Sequence, residues 1–226
     1  MNTRAEEPTL AEDLLLLLFQ PSSGTIAGEN TLFYALGGAV LADLALHEHV
    51  TVGEATGGKL ETTSDRFPAD PSLRSAWDYI DEKPRRVQTV LAAVGPALRG
   101  PLLERLVERG DLDQVERKTL FFFTTKALKE GRNGRRAQLL AAVREALVDG
   151  VDPTARVAAL AALISGSGTL PQFHREIPWD STVIARAKEL ERGNWGAGAA
   201  AEAVTRTVTA TIVSNAVVAV TVLPQQ

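Results

Sequence analysis

The sequence predicts a mainly α fold, a single-domain helical bundle ringed by amphipathic helices and carrying short β-hairpins. Aromatic residues are only 5% of the 226 residues and hydrophobic residues are 45%, so Leu, Val and Ala must supply most of the core. Long segments place apolar residues three and four positions apart, which is the spacing of a helix face. No Pro- or Gly-rich linker divides the chain, so we expect one domain over 1–226, with residues 1–8 as a flexible tail.

The first two helices are predicted from their caps. Thr9 and Glu12 form the capping-box pattern, which starts a helix that runs to Phe19. This helix is apolar nearly all round, as expected for a helix in the centre of a bundle. Asn30 is expected to cap a second helix over residues 31–47, whose small residues allow a neighbouring backbone to approach closely.

Turn-forming residues delimit the next elements. A Gly-Gly turn between residues 50–52 and 59–63 predicts a short β-hairpin. Asp70 followed by proline predicts a capped helix start, with proline at the first helical position. Pro101 must kink or restart the helical segment that follows, and Gly110 ends it.

The pattern changes after Gly110 and then returns to helices. Residues 112–128 predict a hairpin, in which the run from Thr119 to Thr125 is expected to form one strand. Four helices are predicted after it: residues 135–148, 153–165 capped by Asp152, 181–191 capped by Asp180, and 199–220. The last is interrupted by Arg206, Asn215 and threonines, so it is expected to be a buried helix and not a membrane span.

Composition excludes several kinds of protein. The net charge of −4 argues against wholesale attraction to nucleic acid, so no nucleic-acid partner is expected. No cysteine is present, which removes disulfides and thiolate chemistry and suits a cytoplasmic protein. The N-terminal residues show no signal-peptide pattern.

Groups able to carry catalysis are scarce, so the chain is predicted not to be an enzyme and to need no cofactor. His47 and His49 are two positions apart, which on a helix directs them to different sides and favours a solvated helix end over a metal site. Asp111 and Asp113 could hold a metal-bound sugar nucleotide, but no alternation of strands and helices surrounds them. No phosphate-binding glycine loop is present.

A local excess of positive charge is the strongest functional signal. Between Arg117 and Arg136 the sequence contains seven basic residues and a single acidic one, Glu130, within a net acidic protein. Alternation along a strand directs at least one phenylalanine away from the core, which suits a membrane or protein interface, unless it packs on a neighbouring helix. The predicted basic hairpin surface consists of Arg117, Lys118, Phe121, Phe122, Phe123, Lys126, Lys129, Arg132, Arg135 and Arg136.

A winged helix also ends in a helix, a hairpin and a further helix, so nucleic-acid binding is a minor alternative. Its recognition helix would need an outward basic face. The candidate segment supplies Arg105 and Arg109, and its other exposed positions are acidic. Two arginines offer little phosphate-driven affinity.

Several segments occur in a distinctive order along the chain. They are TLAEDLLLLL at 9–18, ALGGAVLADLAL at 35–46, VTV at 50–52, LVERGDL at 106–112, the Phe-rich strand with Thr124 and Thr125, and residues 138–147. This ordered set resembles the Golgi phosphoprotein 3-like family over essentially the whole chain, and the composition resembles that of a bacterial member.

The resemblance implies a cytoplasmic, non-enzymatic adaptor that binds the inner face of a membrane through phosphatidylinositol 4-phosphate or another anionic lipid headgroup. It also implies self-association, or contact with a protein partner, through the hairpin, so that a protein adaptor without lipid binding is the alternative. The family's lipid-pocket positions fall at Gly28, Gly37, Pro96 and Arg99. Arg99 alone keeps the family's chemistry and is the predicted lipid-binding residue.

Overall fold

The computed structural model describes residues 7–63, 66–119, 123–193, 195 and 198–221, with the backbone alone at 116–119, 123–126 and 216–221. Most of the predicted tail at 1–8 therefore lies outside the described residues. The protein is mainly α with short antiparallel hairpins, as predicted. The helices are α1 (Leu10–Leu18), α2 (Leu32–Leu46), α3 (Pro71–Asp81), α4 (Val87–Val94), α5 (Arg99–Glu108), α6 (Arg135–Leu147), α7 (Ala155–Gly166), α8 (Ser181–Glu191) and α9 (Ala199–Thr221).

Helix α1 lies in the centre of the bundle. All nine of its residues are buried, and it contacts α2, α5, α6 and α7. The predicted capping box is present, because the Thr9 hydroxyl accepts from the Glu12 amide and the Glu12 carboxylate accepts from the Thr9 amide. The expectation of a central, all-round apolar helix is therefore confirmed, with the exception of its two acidic residues.

Helix α2 is the second central element, and it packs on α9, α7 and α4. Gly38 makes the closest of these approaches possible. A Cβ atom added there would lie 2.8 Å from both Ile212 Cδ1 and Val208 Cγ1 of α9, and 3.1 Å from Leu163 Cδ2 of α7. The buried apolar side chains form one continuous cluster that includes residues of both α2 and α9.

Two of the five predicted caps are wrong. Asn30 does not cap α2, because residues 27–31 form a turn in which the Thr31 amide donates to the Gly28 carbonyl at 2.9 Å, and Thr31 directly precedes the helix. Asp152 does not cap α7, because Thr154 accepts from the Val157 amide and the helix starts after it.

The other turn residues act as predicted. Asp70 caps α3 and Asp180 caps α8, each through one carboxylate oxygen that accepts two backbone amides. Pro101 is the third residue of α5, where an intrahelical N–H is not needed, so the helix restarts around it after a short 3₁₀ turn. Gly110 ends α5 with φ at +75°, which favours glycine.

The strands form three antiparallel pairs: β1 (Phe19–Gln20) with β2 (Thr25–Ile26), β3 (Val50–Gly53) with β4 (Lys59–Thr62), and β5 (Leu112–Thr119) with β6 (Phe123–Glu130). The second and third were predicted, and the first was not. The expected strand over Thr119 to Thr125 is wrong, because Thr119 ends β5 and Phe123 starts β6.

The C-terminal segment is a helix, as predicted. Its buried residues Val204, Val208 and Ile212 repeat at four-residue spacing and lie within the apolar core. Thr205 and Thr209 are also buried, and the Thr209 hydroxyl donates to the Thr205 carbonyl at 2.9 Å. None of the described helices is both long enough and apolar enough to cross a membrane.

Replacement of Gly38 by valine is expected to destabilise the protein. The new side chain would collide with α9 and α7, and overpacking of this kind costs about 2 kcal/mol. Urea unfolding monitored by circular dichroism measures the loss. The matched control is Gly100→Ala in α5, where an added Cβ meets nothing within 4 Å. That change should leave the free energy of unfolding equal or slightly higher, because alanine favours a helix. Equal destabilisation by both variants would contradict the assigned α2–α9 packing.

Candidate functional site

The β5–β6 hairpin is anchored in the bundle at one end. Its register runs from Leu112 opposite Glu130 to Thr119 opposite Phe123. Leu112 is fully buried, and β5 contacts α5. Because a strand rises about 3.3 Å per residue, the Thr119–Phe123 pair lies roughly 23 Å along the hairpin from this anchor.

The register groups the predicted cations near the far end of the hairpin. Arg117 lies opposite Thr125, Lys118 opposite Thr124, and Lys126 opposite Glu116. Phe123 is the first residue of β6, whereas Phe121 and Phe122 lie outside the described residues. Nearer the anchor, Lys129 and Arg132 are exposed.

Arg135 and Arg136 do not belong to this surface, although the sequence placed them there. Arg135 Nε donates to Asp13 Oδ1 of α1 at 3.1 Å. Arg136 is buried, and its Nε donates to the Phe19 carbonyl at 2.9 Å. Arg135 secures α6 against α1 and Arg136 secures it against Phe19 of β1, so neither side chain groups with the cations of the hairpin.

A groove of about 560 Å³ separates α5 from the lower part of the hairpin. Leu103, Val107 and Leu128 line it with half-buried apolar surface, and the exposed charged residues along it are Arg99, Glu104 and Glu108. The loop between β1 and β2 borders the same region at Gly24. The predicted lipid-binding arginine therefore lies next to the hairpin, across a groove of mixed charge.

Arg99 forms an ion pair within the protein. Its Nε is 2.7 Å from Oε1 of Glu29, and the two side chains are 48% and 50% exposed. An exposed pair of this kind contributes only about 0–1 kcal/mol. Another anion can therefore replace Glu29 at the Arg99 guanidinium with little loss of free energy.

The other three positions of the implied lipid pocket offer no charge. A Cβ atom at Gly28 would lie 2.5 Å from Thr169 Cγ2, and one at Gly37 would lie 3.1 Å from Leu91 Cδ2. These two glycines allow close packing between neighbouring segments. Pro96 lies in the exposed 3₁₀ turn that precedes α5. Arg99 is consequently the one cation among the four positions.

Sequence reasoning missed the principal polar feature of the structure, the carboxylates of α1. Glu12 Oε1 is 3.1 Å from Arg105 Nε and also contacts Arg109. Asp13 accepts from Arg135, and its Oδ2 accepts from Arg156 Nε at 2.9 Å. The sequence did contain a signal for this network: two adjacent acids lie in a helix that is otherwise apolar on every side. Because buried carboxylates require partners, this pattern predicts arginines or lysines facing the helix.

The arginines of α5 serve this interior network. Arg105 also contacts Asp70, the cap of α3, at 2.6 Å, and Arg109 Nε donates to Asp111 Oδ2 at 3.1 Å. Both arginines are therefore paired with carboxylates of the protein. A winged-helix recognition helix would instead need them on an outward face, available to DNA phosphates. Asp111 is buried while Asp113 is exposed, so the two aspartates do not act as a metal-binding pair.

His47, whose side chain is 58% exposed, contacts the buried carboxylate of Asp43. Asp43 Oδ2 accepts from the Leu10 amide at 2.7 Å. Its Oδ1 is 3.3 Å from His47 Nδ1 and 3.8 Å from Arg156 Nη1. Contact with the Asp43 side chain raises the pKa of His47 from 6.5 to about 8, although desolvation acts in the opposite direction.

His49 lies apart from this pair. Its Nδ1 is 3.0 Å from the Arg66 carbonyl, and its ring centroid is 6.4 Å from that of His47. Across the described part of the chain, no group of three or more histidine, aspartate or glutamate side chains could hold a metal ion.

Comparison with known proteins identifies one family. The family model described as Golgi phosphoprotein 3 (GPP34) matches residues 10–207, which include α1, the β5–β6 hairpin and the groove beside α5. No curated protein matches the chain.

Loss of Arg156 is expected to destabilise the protein strongly. Removal of one partner of a buried ion pair lowers the free energy of unfolding by about 3–5 kcal/mol. The loss for Arg156→Met should be near the lower end of this range, because Arg135 still pairs with Asp13. The control is Arg144→Met, whose pair with Asp149 is exposed on both sides and should cost less than about 1 kcal/mol. Chemical unfolding of both variants gives the comparison. Equal losses would show that Asp13 does not depend on Arg156.

The free energy of unfolding is expected to fall at alkaline pH, because His47 loses its proton there. The raised pKa means that the folded chain binds the proton more tightly than the unfolded chain. The stabilisation is therefore complete below pH 6.5 and is lost as the pH rises through about 8. Urea unfolding at pH 6 and pH 9 should show that His47→Gln costs stability at the lower pH and little at the higher one. His174→Gln, a change at an exposed histidine, is the control; a cost of His47→Gln that does not vary with pH would refute the coupling to Asp43.

Proposed function

Because the chain belongs to the Golgi phosphoprotein 3 (GPP34) family, we propose that it is a peripheral adaptor that binds an anionic membrane surface through the far end of the β5–β6 hairpin. Membership suggests a lipid-binding or adaptor protein, and the family is not a known enzyme family. Phosphatidylinositol 4-phosphate is the headgroup that the family resemblance implies for Arg99.

The observation that carries this proposal is the register of β5 and β6. Arg117 and Lys118 immediately precede Thr119, which pairs with Phe123. The residues that connect this pair in sequence are Leu120, Phe121 and Phe122. A continuous apolar run is thus flanked by cations on the strands, at the end of the hairpin remote from α5. Aromatic and basic residues together suit the boundary between lipid headgroups and acyl chains.

The expected affinity follows from the number of charges. A lysine or arginine near an anionic leaflet contributes about 1 kcal/mol, so Arg117, Lys118 and Lys126 together would supply about 3 kcal/mol. The net charge of −4 gives no general attraction to such a surface, so binding depends on this local group. Salt should weaken the interaction, because exposed charges are screened.

Arg99 would contribute headgroup preference more than affinity. One guanidinium can bind a phosphate through two hydrogen bonds, but it must first leave Glu29. The neighbouring acids Glu104 and Glu108 also oppose a highly charged headgroup. We therefore propose anionic lipid in general as the ligand, with phosphatidylinositol 4-phosphate favoured to the extent that Arg99 participates.

Vesicle co-sedimentation at low salt tests the proposal. The full chain is mixed with neutral phosphatidylcholine vesicles, and with vesicles carrying phosphatidylserine or phosphatidylinositol 4-phosphate at equal total charge. Binding is expected only to the charged vesicles. Triple reversal of Arg117, Lys118 and Lys126 to glutamate should reduce it at least tenfold, since each charge contributes about 1 kcal/mol. Arg99→Ala should reduce any preference for the phosphoinositide without abolishing binding to phosphatidylserine.

The matched control reverses three other cations, at Lys83, Arg86 and Arg192, which are exposed and remote from the hairpin in sequence. It changes net charge by the same amount and should retain binding. No binding by the wild type, or equal loss in both triple variants, would refute the proposal. If Phe121→Ser and Phe122→Ser change the molecular mass in solution and leave vesicle binding intact, the hairpin serves self-association instead.

A further inference from the structure

A small pocket is lined by the segment before α1, the end of α2, the loop before α3 and the start of α7. Its volume is about 220 Å³. A water molecule takes up about 30 Å³ in the liquid, so the pocket has room for roughly seven waters or for one small organic molecule. Pro68 and Leu73 give it an apolar wall, and Asp43, His47 and Arg156 are among its polar side chains.

Asp43 brings an open hydrogen-bond acceptor to this pocket. Its side chain is 2% exposed, and its Oδ2 accepts from the Leu10 amide at 2.7 Å. Within the part of the chain that the structure describes, its Oδ1 accepts no hydrogen bond. His47 Nδ1, although 3.3 Å from this oxygen, donates to the Asp43 backbone carbonyl at 2.9 Å. A buried carboxylate oxygen without a donor is costly, so a molecule that can donate to it gains binding energy here.

Arg156 supplies a donor beside this acceptor. Its Nε and Nη2 are held by Asp13 and by the Pro8 carbonyl. Its Nη1 is 3.8 Å from Asp43 Oδ1, which is too far for a hydrogen bond and is the kind of gap that one bridging group fills. A hydroxyl both donates and accepts, whereas an ammonium group only donates and a carboxylate only accepts. The pair of side chains therefore fits an alcohol oxygen better than either ion.

Two histidines at the pocket have one ring nitrogen committed to the backbone. Nδ1 of His47 donates to the Asp43 carbonyl, and Nδ1 of His49 donates to the Arg66 carbonyl at 3.0 Å, because a carbonyl oxygen can only accept. Each ring therefore presents Nε2, and not Nδ1, to a ligand. The ring centroids are 6.4 Å apart, so a second hydroxyl of the same molecule has a ring nitrogen near it.

The charges of the pocket favour a neutral ligand. Asp43 already faces Arg156, and His47 carries a proton at neutral pH because its pKa is raised to about 8. A cationic ligand would meet these two positive groups, and an anionic ligand would meet the buried carboxylate. Asp70, a second acid of the wall, is satisfied within the protein. Its Oδ1 accepts two backbone amides, and its Oδ2 is 2.6 Å from Arg105 Nη1.

We propose that this pocket binds a neutral polyol, such as a monosaccharide, through two adjacent hydroxyl groups. One hydroxyl donates to Asp43 Oδ1 and accepts from Arg156 Nη1, and the neighbouring hydroxyl bonds to His47 Nε2. The carbon face of the molecule packs on Pro68 and Leu73. The lining of the pocket belongs to elements other than β5 and β6, so the proposal stands whether or not the protein binds a membrane.

Nuclear magnetic resonance titration of the ¹⁵N-labelled full chain, at a pH just below neutral, tests the proposal. Three probes share one ring and differ in charge: D-glucose is neutral, D-glucosamine carries an ammonium group and D-glucuronate carries a carboxylate. Glucose should shift the amides of Leu10, Asp43 and Leu73, with a Kd in the millimolar range that suits a molecule of about twelve non-hydrogen atoms. It should bind at least about fivefold tighter than either ion, the effect of one mismatched polar contact.

Two variants test the site itself. Asp43→Asn keeps an oxygen for the Leu10 amide but replaces the open acceptor by a donor, which should weaken glucose binding at least about fivefold. Ala69→Leu narrows the pocket at an exposed position and should weaken binding without loss of stability. Ala55→Leu, at an exposed turn outside the pocket, is the matched control and should bind normally.

Three results would overturn the proposal. If none of the probes shifts the pocket amides, water alone bridges Asp43 and Arg156. If an ion binds as tightly as glucose, the pocket does not select a neutral ligand. If Ala69→Leu binds glucose as the wild type does, the sugar binds elsewhere, and this variant decides the question even where Asp43→Asn fails to fold.

Discussion

The carboxyl groups of Glu12 and Asp13 constrain the whole bundle, because both are buried in the helix at its centre. A buried charge without a partner is far more costly than any packing contact that the helix could gain. Arg105 and Arg109 of the α5 segment supply partners for Glu12, and Arg135 and Arg156 supply them for Asp13. The apolar surface of α1 could pack in several rotations about its axis, but these pairings are satisfied in one.

The same network extends to the neighbouring elements. Arg156 joins Asp13 to Asp43 of α2, and Asp43 accepts from the first amide of α1. Arg109 joins Glu12 to Asp111, which also accepts from Asn133 at the end of the hairpin. The start of α1, the end of α5 and the anchor of the hairpin are therefore held by a chain of ion pairs. The base of the hairpin is thus fixed by the ion pairs and hydrogen bonds of Asp111.

This arrangement divides the basic residues into two groups with different roles. Those facing α1 are bound to carboxylates or to a backbone carbonyl and hold helices together, as Arg135 and Arg136 do. Arg117, Lys118 and Lys126 lie on the hairpin strands and are the proposed membrane contacts.

The sequence by itself determined the elements whose signals are local. The Thr9–Glu12 capping box, the Asp70 and Asp180 caps and the Gly110 stop each act within one helical turn, so neighbouring residues suffice to predict them. The hairpin and its concentration of cations were predicted for the same reason, and so was the buried C-terminal helix. Where a competing local interaction was present, as at Asn30 and Asp152, the choice between caps was wrong.

Only the tertiary structure decided which cations the interior uses. Arg109 and Glu12 are 97 positions apart, and Arg135 and Asp13 are 122 positions apart, so no periodicity connects them. For this reason the clustering of charges in the sequence led to the wrong assignment of Arg135 and Arg136 to the hairpin surface. The ion pair between Arg99 and Glu29 could not be predicted either. The pocket beside Asp43 could not be predicted from the sequence, because it exists only where the end of one helix meets the start of another. Residue type and spacing specify which groups can bear charge or bury surface, but the packing of distant helices specifies which of them remain free to bind.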